Sequence, residues 1–451
     1  MSLSDNTEIN QPQAEDIKGQ LDVLIVDWQG GLRGKRLPAH YRNKILAGEA
    51  RMPLSTQAMD IWSDDCDEIT RLGLSVGDPD GACIPGDRQF HSQPWNQGNQ
   101  QILCTLHGAN NQPSEFDVRA ILQQQVDKLR SKALHPVVAV ELEFYVLDGS
   151  TRDTGRPQIP AQLTVSGSPN HLQLYDMRAM DRMELLLARI QSFADAMDIP
   201  AETQLAEFGP GQFEINLKHQ SDPVTAADHA TLFKQLVDRA AHEVGLLATF
   251  MAKPYTEHAG SGQHVHVSLH DDKGRNIFNQ PEATNLHYGI AGALQHLEAT
   301  QLLFAPHANS YRRLQPDSFA PVRVDWGFDH RGVAVRIPET SGAGARIEHR
   351  VSGADANPYL VLTAVMGAIA DGLTNQKPPD IEPLLPGQQP SAQMLTHDWL
   401  TAIENFENSA WTAQLLGKSF HRIYAAIKRH EAKTINRMVS DIELDTYLSR
   451  V

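Results

Sequence analysis

The sequence predicts an α+β fold built on a largely antiparallel sheet. Apolar residues recur at helical spacing in 116–132, 182–197, 223–244, 288–304, 355–373 and 410–437. The strand-like runs between them are mostly hairpin-spaced, not separated by crossover helices. The chain, at 451 residues, is too long for one small core, so two or more domains are expected.

The elements can be justified in chain order. Residues 1–20 are polar, lack the apolar core of a signal peptide, and read as a disordered tail. The run "LDVLIVDWQGGLRGKRLP" (21–38) reads as a strand, a Gly-Gly turn and a second strand. Residues 39–112 are turn-rich with several short strands. A boundary is expected in "GANNQPSEFD" (108–117), where Ser114 and Asp117 have the spacing of a helix N-terminal capping box. This divides the chain into a small domain, 21–112, and a large one, 113–451. In the large domain "VVAVELEFYVLD" (137–148) is a strand of β-branched and aromatic residues. The sequence "TAQLLGKSF" ends like a phosphate-binding loop. It lacks the leading glycine, since Thr412 stands there, and it sits in a helical pattern, so it is rejected as one.

Composition removes several classes of function. A formal net charge of −16 offers no phosphate-neutralising excess, which disfavours a nucleic-acid or anionic-membrane binder. Three cysteines, Cys66, Cys83 and Cys104, at no metal-like spacing argue against a disulfide framework and a zinc site. No apolar run is long enough to span a membrane. The expected compartment is the cytoplasm.

The chemistry lies in four strands with an unusual polar face. Along 137–148 the side chains alternate, so Glu141 and Glu143 share one face, about 7 Å apart. Two like charges inside an apolar run are costly unless something neutralises them. In "GQFEINLK" Gln212, Glu214, Asn216 and Lys218 share a face; in "GQHVHVSLH" His264, His266 and Ser268 do. Arg336 stands on "AVRIP", and Arg346, Glu348 and Arg350 alternate in "ARIEHRVS". Glu207 precedes the second of these strands. Half-solvated outer faces would explain any one strand. The residue types are instead Glu, His and Arg, and Gly209, Gly211, Gly260 and Gly262 mark tight turns or close backbone approach before two of the strands. Five Glu (141, 143, 207, 214, 348) with His264 form a hard donor set without thiolate, suited to Mg²⁺ or Mn²⁺, more than one ion. Arginines beside such ions clamp a transferring phosphoryl group. The pattern therefore points to metal-dependent phosphoryl chemistry on a sheet.

The motifs "VELEFY", "AEFGPGQFE", "GSGQHVHVSL", "NSYRRLQP", "VAVRIP" and "RIEHRVSGADANPYL", in this order, resemble the glutamine synthetase superfamily over about 114–370. The resemblance implies a small N-terminal β-grasp domain and a large catalytic domain with a curved antiparallel sheet flanked by helices. It implies that Glu143, Glu207 and Glu214 bind one metal and Glu141, His264 and Glu348 another, two or three ions per site. It implies nucleotide-side roles for Glu202, His266, Ser268, Arg336 and Arg346, and a role on the transferred phosphate for Arg331. Arg313, Gly260 and Arg350 would hold glutamate. The implied reaction makes γ-glutamyl phosphate from glutamate and ATP, and an amine then displaces phosphate. A ring-shaped homo-oligomer is implied, a dodecamer with sites between subunits.

Departures from the family pattern concern the nucleophile. Where glutamine synthetases carry a flap glutamate after "NSY-[KR]-R-L-x-P", this chain reads "DSFAPV", with Phe319 at that place. A second acidic position aligns with Leu54, an Asn-Gly pair is reduced to Ala259-Gly260, and "PPDIEPLLPG" has no tyrosine for adenylylation. These departures resemble the γ-glutamylpolyamine synthetases, including glutamate–putrescine ligase. Asp317 and Glu257 are candidate acidic rim groups for a diamine's far end. The rival readings are a glutamine synthetase with an atypical flap and a non-catalytic structural or regulatory ring.

Overall fold

A computed structural model describes residues 19–86, 89–154, 158–164, 172–280, 282–316 and 318–451. The expected tail (1–20) lies almost wholly outside these residues, as does Asp317.

The N-terminal part forms a six-stranded sheet from β1 (Gln20–Val26), β2 (Leu32–Pro38), β3 (Arg51–Pro53), β4 (Asp80–Pro85), β5 (His91–Ser92) and β6 (Gln100–His107). The order is β2-β1-β6-β4-β3, with β5 also on β6; β1 and β6 run parallel and the other pairs antiparallel. The β1–β2 pair is the hairpin its Gly30-Gly31 turn predicts. Strand β1 is buried on both faces. Leu21, Val23 and Ile25 pack with Ile102, Cys104 and Leu106 in a small core, while Leu24 and Val26 join the main one.

The second sheet has eight strands: β7 (His135–Asp148), β8 (Ala201–Ala206), β9 (Gln212–Leu217), β10 (Leu246–Thr249), β11 (Gln263–His270), β12 (Trp326–Phe328), β13 (Val335–Glu339) and β14 (Arg346–His349). Their order is β12-β13-β14-β11-β7-β9-β8, with β10 on the far end of β7. Every pair is antiparallel except β12–β13, which fits the predicted, largely antiparallel α+β fold. The apolar face of β7, Val138, Val140, Leu142, Phe144 and Val146, is buried in the main core.

Helices cover that face at the predicted places. Pro358–Asn375 is buried without a break from Pro358 to Ile369, as expected of a helix surrounded by others. It crosses Thr284–Gln295 at a glycine pair, and a Cβ on Gly372 would lie 2.0 Å from the Tyr288 carbonyl oxygen. Three helix details differ from expectation. Helix Val118–Arg130 is capped by Asp117, whose carboxylate accepts from Ala120 N and Leu106 N; Ser114 instead accepts from Phe116 N. The 288–304 pattern is two helices, starting at Thr284 and broken at His296. The 410–437 pattern breaks at Gly417, whose φ of +90° ends Ala410–Leu416 and begins Lys418–Ile435.

This last helix ties the two ends of the chain together. Lys428 and Glu431 are fully buried; Lys428 Nζ donates to Glu431 (2.9 Å) and Gln29 (2.6 Å). Glu431 also accepts from the backbone N–H of Ile61 (2.9 Å), and Phe420 packs edge-on to Trp28.

Candidate active site

The face of the large sheet opposite the helices carries the polar residues. Strand register brings them together. Glu143 lies opposite Glu214 across β7–β9, Glu141 opposite His264 across β7–β11, and His266 opposite Glu348 across β11–β14. Donor atoms of Glu143, Glu207 and Glu214 lie within 4.8 Å of one another, as do those of Glu141, Glu214 and His264 and those of Glu141, His266 and Glu348. The first group is the predicted one. In the last, His266 rather than His264 sits with Glu141 and Glu348. The register explains this, because His266 is the residue opposite Glu348 whereas His264 is opposite Glu141.

The two glutamates of β7 are neutralised differently. Glu141 receives His266 Nε2 at 2.9 Å, His264 Nδ1 at 3.4 Å and Asn216 Nδ2 at 3.0 Å. Burial raises its pKa, but the hydrogen bonds from both histidines outweigh this and hold the carboxyl below the usual range. Glu143 accepts from Gly262 N (2.8 Å) and Gln212 Nε2 (3.1 Å). Glu207 accepts from the adjacent Phe208 N at 3.1 Å, but burial dominates at both Glu207 and Glu214. Burial, then the Glu143 charge, pushes Glu207 up to about 7 and Glu214 up to about 9. Carboxyl groups crowded this closely fit a site for hard divalent cations, which would discharge them.

Arginines ring this floor. Glu348, 1% exposed, accepts from Arg336 Nη1 at 2.8 Å and makes a short contact with Arg350 Nη1. Burial works against its charge, but Arg350 and the two histidines keep it ionised below its ordinary pKa. Arg336 also meets Asp329, and Arg346 Nε donates to His266 Nδ1 at 3.2 Å. Arg313 is buried, its guanidinium donating to the Val351 carbonyl at 2.7 Å. Arg331 is exposed at the cavity wall.

The polar face is divided between two adjoining cavities. One, about 760 Å³, is lined by Glu143, Glu207, Glu214, Gly260, Arg313, Phe319, Arg331, Arg336 and Arg350. The other, about 800 Å³, is lined by Glu202 and Ser268 among others. Glu141, Asn216, His266 and Arg346 border both. Glu257 is exposed and lines neither. The turn between β8 and β9 is fixed by Gly211, whose φ of +83° only glycine adopts readily. A Cβ on Gly262 would lie 2.8 Å from Arg313 Nη2 and 2.9 Å from His264 Nε2, so the backbone must approach bare.

A match to the glutamine synthetase catalytic-domain family spans residues 115–447. The chain belongs to the glutamine synthetase family. Within it, the chain is 35% identical to γ-glutamylputrescine synthetase of Escherichia coli (strain K12), over 95% of this chain and 91% of that one. It is 30% identical to glutamate–isopropylamine ligase of a Pseudomonas species, over 96% of both. The ADP complex of GmaS superposes with a TM-score of 0.82 at 24% identity, covering 96% of this chain and 97% of that one.

Three supporting residues escape a reading by motif. Gln212 donates to Glu143 and to the Gly260 carbonyl, Asn216 orients Glu141, and the Tyr145 hydroxyl donates to the Ala259 carbonyl at 2.7 Å. Alternation puts Gln212, Asn216 and Tyr145 on the right face, but only the fold brings Ala259 to Tyr145 and Gly260 to Gln212. Phe208, at the lip of the cavity, is missed by that reading as well. Its ring lies 4.2 Å from that of Phe319, a contact between segments far apart in sequence.

Proposed function

We propose that this family member is an ATP-dependent ligase that joins the γ-carboxyl of glutamate to a primary amine, putrescine or another polyamine first among them. The observation that carries this reading is the lip of the 760 Å³ cavity, where the Phe319 ring packs, tilted, against Phe208 beside a floor of carboxylates. An apolar lip neither concentrates ammonium nor takes its proton, but it accepts the carbon chain of an alkyl amine. The relatives support the same class, since the named ones act on putrescine and isopropylamine.

In this reading the glutamate γ-carboxylate attacks the terminal phosphorus of ATP, releasing ADP and giving γ-glutamyl phosphate. The amine nitrogen then attacks the acyl carbon, phosphate leaves, and the nitrogen loses a proton. Glu143, Glu207 and Glu214 would hold one Mg²⁺ or Mn²⁺, and Glu141, Glu348 and the His264–His266 pair a second. Bound there, the ions supply charge neutralisation of the phosphates. Arg331, Arg336 and Arg350 stabilise charge on the transferring group, and Arg313 with the Gly260 backbone holds glutamate. Glu202, His266, Ser268 and Arg346 serve the nucleotide from the second cavity, and Arg336 from the first.

The wider assembly belongs to the same proposal. The small domain, 21–112, is a β-grasp unit, and 113–451 is the catalytic domain. The chain works in the cytoplasm as a homo-oligomer of two stacked hexamers, with active sites shared between subunits.

The test is an amine panel with glutamate and ATP, read as phosphate release. Putrescine or a longer polyamine is expected to exceed ammonium in kcat/KM by at least about tenfold, equivalent to about 1.4 kcal/mol. Phe319→Glu should narrow that gap. Ammonium as the best substrate would make this a glutamine synthetase and overturn the reading.

A further inference from the structure

We infer that Phe208 and Phe319 form one face of an amine slot whose other face is Leu174 and Tyr175, and that this slot selects amines by the length of their carbon chain. The inference rests on the ligase reading above and assigns its third substrate a place.

All four side chains line the 760 Å³ cavity that holds the carboxylate floor. With Leu205, Ala259, Ala320 and Pro338 they make up its apolar part, and Leu174, Tyr175, Phe208 and Phe319 are not core residues. Phe319 is 62% exposed even with the Phe208 ring packed against it, and Leu174 and Tyr175 are 46% and 59% exposed. Three large apolar groups left exposed, with Phe208 half-buried among them, at the rim of so charged a cavity are costly unless an apolar body covers them.

The scaffold beneath three of them is rigid. Phe208 follows Glu207 directly, and the turn after it is pinned by Gly209 N donating to Gln212 Oε1 (3.0 Å). Adjacent side chains therefore serve opposite ends of one ligand, with the Glu207 carboxylate on the floor and the Phe208 ring at the lip. Across the slot, Tyr175 N donates to the Ala206 carbonyl at 2.9 Å, and the buried Gln173 donates to the Gln212 carbonyl at 2.7 Å. Tyr175 takes a left-handed backbone, φ +55°, which is unusual for a bulky residue. Both walls are thus fastened to the β8–β9 end of the sheet, while Phe319 comes from the loop after Ser310–Arg313.

An amine that enters with its reactive nitrogen toward the acyl carbon lays its chain between these walls. Each methylene covered should raise kcat/KM by about fourfold until the slot is filled. The aromatic faces also attract a distal ammonium, so a diamine gains where its second cation reaches the rings.

The experiment measures kcat/KM for ammonium, methylamine, ethylamine, propylamine, butylamine and 1,4-diaminobutane. The readout is the slope of log kcat/KM against methylene number, which does not depend on overall activity. The wild type should show a clear positive slope. Phe208→Ala and Phe319→Ala should each at least halve it, and Phe208→Leu should keep most of the slope while losing the diamine's advantage over butylamine. Phe319 makes its ring contact at an exposed loop, so its variant remains informative where Phe208→Ala fails to fold. Alkyl amines used by the wild type with a slope unchanged in Phe319→Ala and in whichever Phe208 variant folds would overturn this inference and leave the ligase reading intact. A wild type that uses ammonium alone would overturn both.

Discussion

Glu348 has two arginine partners, and their side chains have different tasks. Arg350 is buried beside it, so Arg350→Ala leaves a buried carboxylate short of a partner. This substitution should lower stability by on the order of 3 kcal/mol, visible as a depressed thermal midpoint, as well as impair turnover. Arg331 is exposed at the cavity wall and holds no part of the core. Arg331→Ala should therefore lower kcat by about 10²–10³ while the melting curve is unchanged. Near-normal turnover in Arg331→Ala would remove it from the reaction.

At the scale of elements, the carboxylate floor sets a pH dependence. In metal-free protein Glu207 and Glu214 hold their protons more tightly when folded than when unfolded, because their folded pKa values are raised. That contribution is complete below the ordinary glutamate value and is lost as pH rises through about 7 for Glu207 and about 9 for Glu214. EDTA-treated protein should accordingly melt at lower temperature at pH 9 than at pH 6, and added Mg²⁺ should raise the midpoint more at pH 9. A midpoint indifferent to Mg²⁺ at both pH values, with activity undiminished in excess EDTA, would refute metal binding here. The helix layer makes a separate prediction. A Cβ at Gly372 has no room against the Tyr288 carbonyl, so Gly372→Ala should destabilise by about 1–3 kcal/mol in a denaturant titration.

These elements were legible to different degrees, for physical reasons. The polar face of β7 could be read because alternation along a strand is strict, and its Glu-x-Glu pair stood out in an apolar run. The helices could be read from their spacing, but not where they stop. Apolar periodicity runs on through His296 and Gly417, and backbone dihedrals rather than side-chain pattern end those helices. Ser114 and Asp117 had capping-box spacing, yet Asp117 was drawn into bridging β6 and the following helix. Which histidine meets Glu348 depends on β11–β14 register, and the Phe208–Phe319 pair on a long-range contact. Neither is written in local pattern.

For the whole molecule, the proposed shared sites make assembly a condition of activity. Light scattering should find a particle far larger than the 49.9 kDa chain, and dilution to monomer should abolish turnover. An active monomer would refute shared sites. The knot of Lys428, Glu431, Gln29 and Ile61 has a further consequence, one of timing. The Gln29–Lys428 bond joins residues 399 apart in sequence. At roughly 5–20 residues per second, a ribosome needs about 20–80 s to make the chain between them. Through that interval the loop around Ile61 waits for the helix that will fasten it, and Ile61 and Trp62 stay beside an incomplete structure. The small sheet can close its own core early, but its seat on the rest of the protein is settled among the last events of synthesis. A nascent chain stalled before Lys418 should therefore show protease cleavage in 58–66 that vanishes once residues 418–435 have emerged.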